Sequence, residues 1–267
     1  MTASISIQDL STGYGDITIS AGLDLSIPSN NFTVIIGPNA CGKSTLLRSI
    51  ARVQKVQGGE ILLDGKEIYQ WKSKELARKL GLLPQFNVVP EKMSVRDLVA
   101  RGRSPHQGVF RQWSQLDQDA VQRALERTGL ASLADSDVDE LSGGQRQRAW
   151  LALVLAQDTE VVLLDEPTTF LDLAHQIEIL ELCQQMYQQN RTVVAVLHDL
   201  NLAARYATYL VVMQEGKVIA SGPPKRVITE QLMEDVFELP SAIIPDPLTG
   251  APLIIPRPGL HRNTLAP

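Results

Sequence analysis

The chain has 267 residues, of which 44% are apolar and 21% charged, and its formal net charge is −5. This composition is that of an ordinary globular protein, and the length suits one large α/β domain. The negative charge argues against sequence-independent nucleic-acid binding, which needs a basic surface. The two cysteines, Cys41 and Cys183, fit a reducing cytosol and are too few for a disulfide framework or a zinc site.

No targeting or membrane-spanning segment stands out in the sequence. The N-terminus lacks the basic and apolar regions of a signal peptide, and no apolar run approaches the ~18 residues that span a bilayer. We therefore expect a soluble protein, which does not prevent it from binding a membrane partner.

The first third of the chain predicts mainly strands. Alternating apolar and polar residues between 4 and 28 predict antiparallel strands. A turn leads to the apolar run 33–36, which is long enough for a buried strand. Residues 58–66 predict a hairpin with an Asp-Gly turn. A helix near 74–79 and a short strand near 81–85 follow.

Helical spacing replaces strand patterns from about 91 to 158. Apolar strands then return near 161–164 and 192–197, on either side of a helix, and suit parallel strands covered on both faces. A hairpin is predicted near 209–220, and the proline-rich chain beyond 221 predicts an irregular arm on the surface.

One stretch fits the pattern G-x-x-x-x-G-K-[ST], a loop that wraps nucleotide phosphates. Its residues are Gly37, Pro38, Asn39, Ala40, Cys41, Gly42, Lys43, Ser44 and Thr45. The glycines allow close backbone approach, and the N–H groups and the following helix hold anionic oxygens. Lys43 reaches the β- and γ-phosphates, and the Ser44 hydroxyl can bind Mg²⁺. The alternative is a chance turn before an ordinary helix, but the strand, loop and helix context favours nucleotide binding.

Two carboxylates, Asp165 and Glu166, end the apolar strand predicted at 161–164. Ligands of parallel sheets bind beyond the carboxyl ends of strands, which lies beside the phosphate loop. We expect Asp165 to hold Mg²⁺ through water. Glu166 is expected to orient or deprotonate the water that attacks the γ-phosphate. The alternative is that both acids cap the turn at Pro167.

A second anion site is predicted where Ser142, Gly143, Gly144 and Gln145 open a helix, because a capping serine and two glycines leave the first amides accessible. The alternative is a flexible helix cap without function. The tip of a helical insert lies too far from Lys43 to bind the same phosphates as Lys43 does. It can, however, reach a nucleotide bound by another copy of the chain.

In this order, the motifs resemble those of an ATP-binding subunit of an ABC transporter, over essentially the whole chain. Residues 37–45 resemble the Walker A loop, 161–165 the Walker B strand and 141–145 the ABC signature. Walker A alone marks many NTPases, whereas the signature in this order is highly specific. The resemblance implies an α/β fold: a P-loop NTPase ABC ATPase core with a mixed sheet, an N-terminal antiparallel β subdomain and an inserted helical subdomain. The single domain would comprise a core at about 1–90 and 159–220, the helical subdomain at 91–158 and a C-terminal arm at 221–267.

The same resemblance implies roles for four further residues. Tyr14 would stack on adenine, and Gln85 would be the Q-loop glutamine that senses Mg²⁺ and the γ-phosphate. Asp172 would belong to the D-loop, and His198 would be the switch histidine that contacts the γ-phosphate. Without the family resemblance, the sequence would indicate an aromatic turn residue at Tyr14, a structural residue at His198 and no particular role for Gln85. Ala40 departs from the usual glycine, at a cost of about 1 kcal/mol if its φ is positive.

Several segments resemble the iron-chelate import branch, with ATPases of ferric siderophore importers of the ferric enterobactin type as the nearest likeness. They lie at 101–107, 148–152, 165–176, 195–201 and 243–253. Haem and cobalamin importers use similar ATPases and stay open as alternatives.

The resemblance also implies cofactors and partners. These are ATP and Mg²⁺, a head-to-tail homodimer enclosing two ATP, and two transmembrane permease subunits docked near Gln85 and the segment after it. A periplasmic or lipid-anchored binding protein would act indirectly. The expected location is the cytoplasmic face of the inner membrane.

Two rival functions remain from other classes. An ABC-type ATPase of DNA repair or translation should show coiled-coil inserts, zinc cysteines or two fused cassettes, which the sequence lacks. A non-hydrolysing nucleotide-dependent module should lack Glu166 or His198, and both are present.

Overall fold

The computed structural model describes residues 4–85, 92–108, 113–169 and 171–258. Its strands are β1 Ile5–Tyr14, β2 Ile17–Ile27, β3 Phe32–Ile36, β4 Val56–Leu63, β5 Lys66–Glu67, β6 Leu80–Leu83, β7 Val161–Asp165, β8 Thr192–Val196, β9 Tyr209–Gln214, β10 Lys217–Gly222, β11 Ser241–Pro245 and β12 Pro252–Pro256. Its α-helices are α1 Lys43–Ile50, α2 Ser73–Lys79, α3 Val95–Ala100, α4 Gln115–Arg127, α5 Gly143–Gln157, α6 Leu173–Gln188, α7 Leu200–Tyr206, α8 Pro224–Val227 and α9 Glu230–Phe237.

A six-stranded mixed sheet forms the centre, in the order β10-β9-β3-β8-β7-β6. The pairs from β9 to β6 are parallel, and β10 adds an antiparallel edge. Every residue of β3, β7 and β8 is buried, as their continuous apolar runs predict. Because these three strands are neighbours, the loops after their carboxyl ends lie side by side.

A second, antiparallel sheet has the order β2-β1-β4-β5, which confirms the predicted N-terminal strands. Asp64 and Gly65 turn the chain between β4 and β5 with φ of 54° and 74°, as an Asp-Gly hairpin turn requires. The alternate apolar residues of β1 pack with α1 and with one face of the central sheet in a shared core.

Helices α3, α4 and α5 lie between β6 and β7 in sequence and pack on the opposite face of the central sheet. A buried ion pair holds them together: Nε of Arg103 donates to Oδ1 of Asp117 at 2.9 Å, and Nη1 of Arg103 donates to the Ala156 carbonyl at 2.8 Å. Burial alone would raise the pKa of Asp117, but hydrogen bonds from Ser114 and Arg103 lower it to about 2.

The prediction of an irregular C-terminal arm is wrong. Residues 221–258 contain α8, α9 and the hairpin β11-β12, and they bury Ile228, Met233 and Ile254 in the main core. The Asn201 side chain accepts from the Ile254 N–H at 2.7 Å and donates to its carbonyl at 3.2 Å. Prolines suggested irregular chain, but those at the ends of β11 and β12 are compatible with a two-stranded hairpin, in which both strands are edges.

Within the described ranges, no helix has both the length and the apolar character that a bilayer crossing requires.

Candidate functional site

The phosphate loop joins β3 to α1 through backbone conformations that side chains would obstruct. A methyl group at Gly37 would lie 2.1 Å from the carbonyl oxygen of Met213. Gly42 has φ of 102° and is the N-cap of α1, with no side-chain cap. The first amides of α1 therefore keep their N–H groups available, and a helix N-terminus of this kind fits an anion.

Ala40 has φ of 60° in this loop. Ala40 therefore has the positive φ at which an alanine is strained. It costs about 1 kcal/mol relative to a residue that adopts this conformation without strain. The loop keeps its form because Lys43 and the neighbouring strands hold it on several sides.

Lys43 turns its ammonium group back into the loop. Its Nζ donates to the carbonyl oxygens of Gly37 at 2.9 Å and Pro38 at 2.7 Å, and the residue is 5% exposed. Across the described part of the chain it forms no ion pair. A buried cation without a paired anion favours binding one, so the loop fits nucleotide phosphates.

A cavity of about 390 Å³ opens beside this loop, within the range of small-molecule sites. It is lined by Tyr14, Ile19, Asn39, Ala40, Cys41, Gly42, Lys43, Ser44, Thr45, Glu166 and His198. Tyr14 is 47% exposed at its rim, and its hydroxyl lies 3.5 Å from Oγ1 of Thr45. An accessible ring beside the phosphate loop is compatible with the stacking role predicted for it.

Asp165 is fully buried at the end of β7. Its Oδ1 accepts from the Ser44 hydroxyl at 2.6 Å, and its Oδ2 accepts from Nε and Nη2 of Arg48, both at 3.1 Å. Hydroxyl and carboxylate oxygens are ligands that Mg²⁺ prefers. The described residues hold no group of three or more His, Cys, Asp or Glu side chains for a metal. The oxygens of Ser44 and Asp165 therefore fit a Mg²⁺.

Glu166 is fixed by three donors. Its Oε2 accepts from Nε2 of Gln85 at 2.7 Å and from Oγ1 of Thr169 at 3.1 Å, and its Oε1 lies 2.8 Å from Nε2 of His198. An ionised carboxylate offers about four lone-pair positions, so about one is free to accept from water. The backbone of Glu166 has φ of 54°, a strained conformation of the kind found at functional sites.

Ser142 caps α5 in a reciprocal box. Its Oγ accepts from the Gln145 N–H at 3.3 Å, and Oε1 of Gln145 accepts from the Ser142 N–H at 2.9 Å. Nothing lies within 4 Å of a methyl group built on Gly143. The start of this helix is therefore ordered, exposed and open to an approaching surface.

Asp172 caps α6 in a similar way. Its Oδ1 accepts from the backbone N–H of His175 at 3.0 Å and lies 2.7 Å from Nδ1 of the same residue. These hydrogen bonds lower the pKa of Asp172. The carboxylate stays exposed beyond them.

Comparisons with known proteins agree with this geometry. The family model described as ABC transporter matches residues 21–169. The chain belongs to the ABC transporter family. It is 50% identical over 250 residues to the ferric enterobactin transport ATP-binding protein FepC of Escherichia coli (strain K12), covering 93% of this chain and 92% of that one. To the achromobactin transport ATP-binding protein CbrD of Dickeya dadantii (strain 3937) it is 49% identical over 257 residues, covering 96% and 95%.

A solved structure is also similar. The dimeric structure of MJ0796, a bacterial ABC transporter cassette, superposes with a TM-score of 0.72 at 27% identity, covering 82% of this chain and 98% of that one. As a member of the ABC transporter family, the chain binds ATP, is an ATPase, and is a subunit of a transporter that includes a membrane permease.

The structure divides the predicted site residues of this ABC ATPase into two sets. The phosphate half comprises Tyr14, residues 37–45, Gln85, Asp165, Glu166 and His198, which line the cavity or bond to a residue that does. The signature half comprises residues 142–145 and Asp172, none of which lines that cavity. The individual roles of both sets stay predictions.

Sequence reasoning missed three residues of the phosphate half. Arg48 pairs with Asp165, Thr169 donates to Glu166, and Ile19 lines the cavity. Arg48 lies four residues after Ser44 on α1, so helical spacing puts both on one face and offered a signal for it. Ile19 comes from β2, and no local pattern brings that strand to the loop.

Proposed function

We propose that the chain powers import of a ferric siderophore, by closing head to tail with a second copy around two ATP molecules. The observation that carries this proposal is the separation of the two halves, since the cavity beside Lys43 contains no residue of the signature half. A head-to-tail pair puts the signature half of each copy against the phosphate half of the other. MJ0796 is named as a dimeric cassette, which supports the arrangement.

In the phosphate half, Lys43 and the first amides of α1 would hold the phosphates, while Tyr14 packs on the base. Ser44 and Asp165 would hold Mg²⁺, which neutralises developing charge on the phosphates when bound. Arg48 pairs with the buried Asp165 carboxylate at 3.1 Å, so that side chain is held in place before a metal arrives.

Glu166 is the general base in this proposal, accepting the proton of the attacking water at one carboxylate oxygen. His198 fixes the other oxygen of Glu166 at 2.8 Å. Gln85 holds Glu166 through its amide at 2.7 Å. His198 also lines the cavity in which the γ-phosphate is expected to lie. It would therefore respond to that phosphate directly, and Gln85 would respond through Glu166.

We infer that the helical subdomain at about 91–158 moves with the permease, while the core at about 1–90 and 159–220 holds the nucleotide. The arm at 221–267 completes the single domain. Docking is proposed near Gln85, and the segment after it, 86–91, lies outside the described residues. The partners would be two permease subunits and, indirectly, a periplasmic or lipid-anchored binding protein. No nucleic acid takes part, and the site of action is the cytoplasmic face of the inner membrane.

The cargo follows from the relatives. FepC and CbrD are named for ferric enterobactin and achromobactin transport and are 50% and 49% identical to this chain. We therefore propose a ferric siderophore as the cargo. No residue of this chain would contact it, because it crosses the membrane through the permease.

The test is an ATPase assay of the chain reconstituted with its permease in lipid vesicles. Ferric enterobactin, a ferric hydroxamate, haem and cobalamin are each added with their binding proteins. We expect ATPase stimulation by a ferric siderophore and none by haem or cobalamin. Stimulation by haem alone would overturn the cargo, and stimulation by DNA or RNA would overturn transport.

A further inference from the structure

His175 lies in the first turn of α6, where it bonds to Asp172 and lies beside Gly144. Its backbone N–H and its Nδ1 both reach Oδ1 of Asp172, at 3.0 Å and 2.7 Å. The other ring nitrogen, Nε2, lies on the far side of the imidazole from Asp172.

The far edge of this ring faces Gly144. A methyl group built on Gly144 would lie 3.4 Å from Cδ2 and 3.7 Å from Nε2 of His175. A methyl group would therefore just fit between the glycine and the ring, so the ring lies beside the backbone of α5 at its second residue, about one carbon atom away from contact. The His175 side chain is 38% exposed, which is compatible with a ring that lies between two surface loops.

Two independent helix starts therefore meet at one side chain. Ser142 caps α5 and Asp172 caps α6, and these helices are joined further along by the ion pair of Arg148 with Glu178 at 3.1 Å. At their N-terminal ends, His175 bonds to the carboxylate that caps α6 and lies beside a glycine of α5.

We propose that His175 is a positioning residue that holds Gly144 and Asp172 as one rigid unit for the nucleotide of the second copy. This inference rests on the proposed head-to-tail dimer. In that dimer the chain's own nucleotide is held by the phosphate half, which His175 does not touch. Loss of His175 therefore weakens dimer closure without weakening nucleotide binding by the isolated chain.

Three variants separate the two contacts. His175→Ala removes both contacts, and His175→Asn keeps an amide donor near the position of Nδ1 while losing the ring edge. His175→Phe keeps a ring against Gly144 without the hydrogen bond. Gln185→Ala, at an exposed position further along α6, is the matched control.

The variants are made in Glu166→Gln, which is expected to accumulate closed dimers with ATP. Sedimentation measures ATP-driven dimerisation, and a fluorescent ATP analogue measures nucleotide affinity of the monomer. We expect His175→Ala to weaken dimerisation at least about tenfold, with affinity for the analogue within about twofold of the parent. His175→Asn and His175→Phe should each restore part of the dimerisation that His175→Ala loses. Gln185→Ala should dimerise and bind the analogue like the parent.

Amide hydrogen exchange of the monomer tests the positioning itself, whether or not a dimer forms. We expect His175→Ala to speed exchange at the starts of α5 and α6 and leave the phosphate loop unchanged. Unchanged exchange at both helix starts would overturn the inference, even with ATP-driven dimers intact. So would equal losses of dimerisation and nucleotide affinity, which indicate a merely structural role. If Glu166→Gln forms no dimer with ATP, the head-to-tail dimer of the proposed function is wrong. The proposed role of His175 in a second copy's site is then wrong as well.

Discussion

The two halves of the site differ in how their polar groups are satisfied. In the phosphate half, the central polar groups are buried and bond within the protein: Asp165 is fully buried between Ser44 and Arg48, and Lys43 is held by backbone carbonyls. In the signature half, Ser142 and Asp172 are exposed and each caps the helix that it begins. The phosphate half surrounds an open cleft, and the signature half is an ordered surface.

This difference indicates a division of labour. A buried cation beside the uncapped amides at the start of α1 favours an anion, so the phosphate half should bind nucleotide in the isolated chain. Exposed helix starts contribute little in water, because their groups are already solvated. They gain strength when a second surface excludes that water, as a partner copy would.

Replacing the expected base should have the largest effect. Glu166→Gln keeps the shape of the side chain but removes the carboxylate that accepts a proton, so we expect phosphate release to fall about 10³-fold. Nucleotide affinity should stay within about twofold. The matched control is Glu181→Gln, an exposed acid on α6. Near-normal turnover in Glu166→Gln would remove Glu166 from its role.

The helical layer beneath the signature half should depend on its buried ion pair. Asp117→Asn leaves Arg103 without a paired charge, so we expect a loss of about 3–5 kcal/mol in the free energy of unfolding. Denaturant unfolding measures it. Asp135→Asn breaks the exposed pair with Arg96 and should cost less than about 1 kcal/mol. Equal losses would contradict the anchoring role of Asp117.

The same pair predicts a pH dependence. The pKa of Asp117 is about 2 in the folded chain, below its ordinary value of 3.8. The carboxylate therefore stabilises the fold fully above pH 3.8, and that contribution is lost as the pH falls towards 2. The difference in stability between the parent and Asp117→Asn should shrink over this range. A difference that stays constant would contradict the lowered pKa.

Lys43→Ala tests the phosphate half directly. Removing a charged donor should weaken ATP binding by the isolated chain about 10–100-fold, in line with hydrogen bonds to charged groups. Titration with a fluorescent ATP analogue measures the change, and Lys217→Ala, at an exposed position on β10, is the control. Affinity equal to the parent's would contradict the assignment of the phosphate loop.

Most of the fold follows from local sequence patterns, and part of the site does too. The apolar runs of β3, β7 and β8 require burial on both faces, which predicts parallel strands and brings Lys43, Asp165 and His198 to one edge. The C-terminal arm was mispredicted because its buried residues, such as Ile254, pack against a distant helix. Ile19 was missed for a similar reason: only the packing of two sheets brings it to the loop.

Ser142→Ala separates the signature half from the phosphate half. Loss of the helix cap should lower stability by about 1 kcal/mol, leave nucleotide affinity of the isolated chain unchanged and weaken ATP-driven dimerisation in the Glu166→Gln background. Thr229→Ala removes an equivalent cap from α9 and should lower stability without affecting dimerisation. If both variants dimerise like the parent, Ser142 has no part in a second copy's site.

The smallest effect is expected at Ala40, where the phosphate half carries backbone strain that the signature half lacks. Ala40→Gly relieves about 1 kcal/mol of backbone strain at φ of 60°. The glycine also gives the unfolded chain more conformational freedom, which lowers stability by about 0.4–1 kcal/mol. A net gain of a few tenths of a kcal/mol should raise the melting temperature by about 1 °C. Ala77→Gly, inside α2, should lower stability by about 0.5–1 kcal/mol. Because the same substitution has opposite signs at the two positions, a loss at Ala40 would mean that its positive φ is not a source of strain.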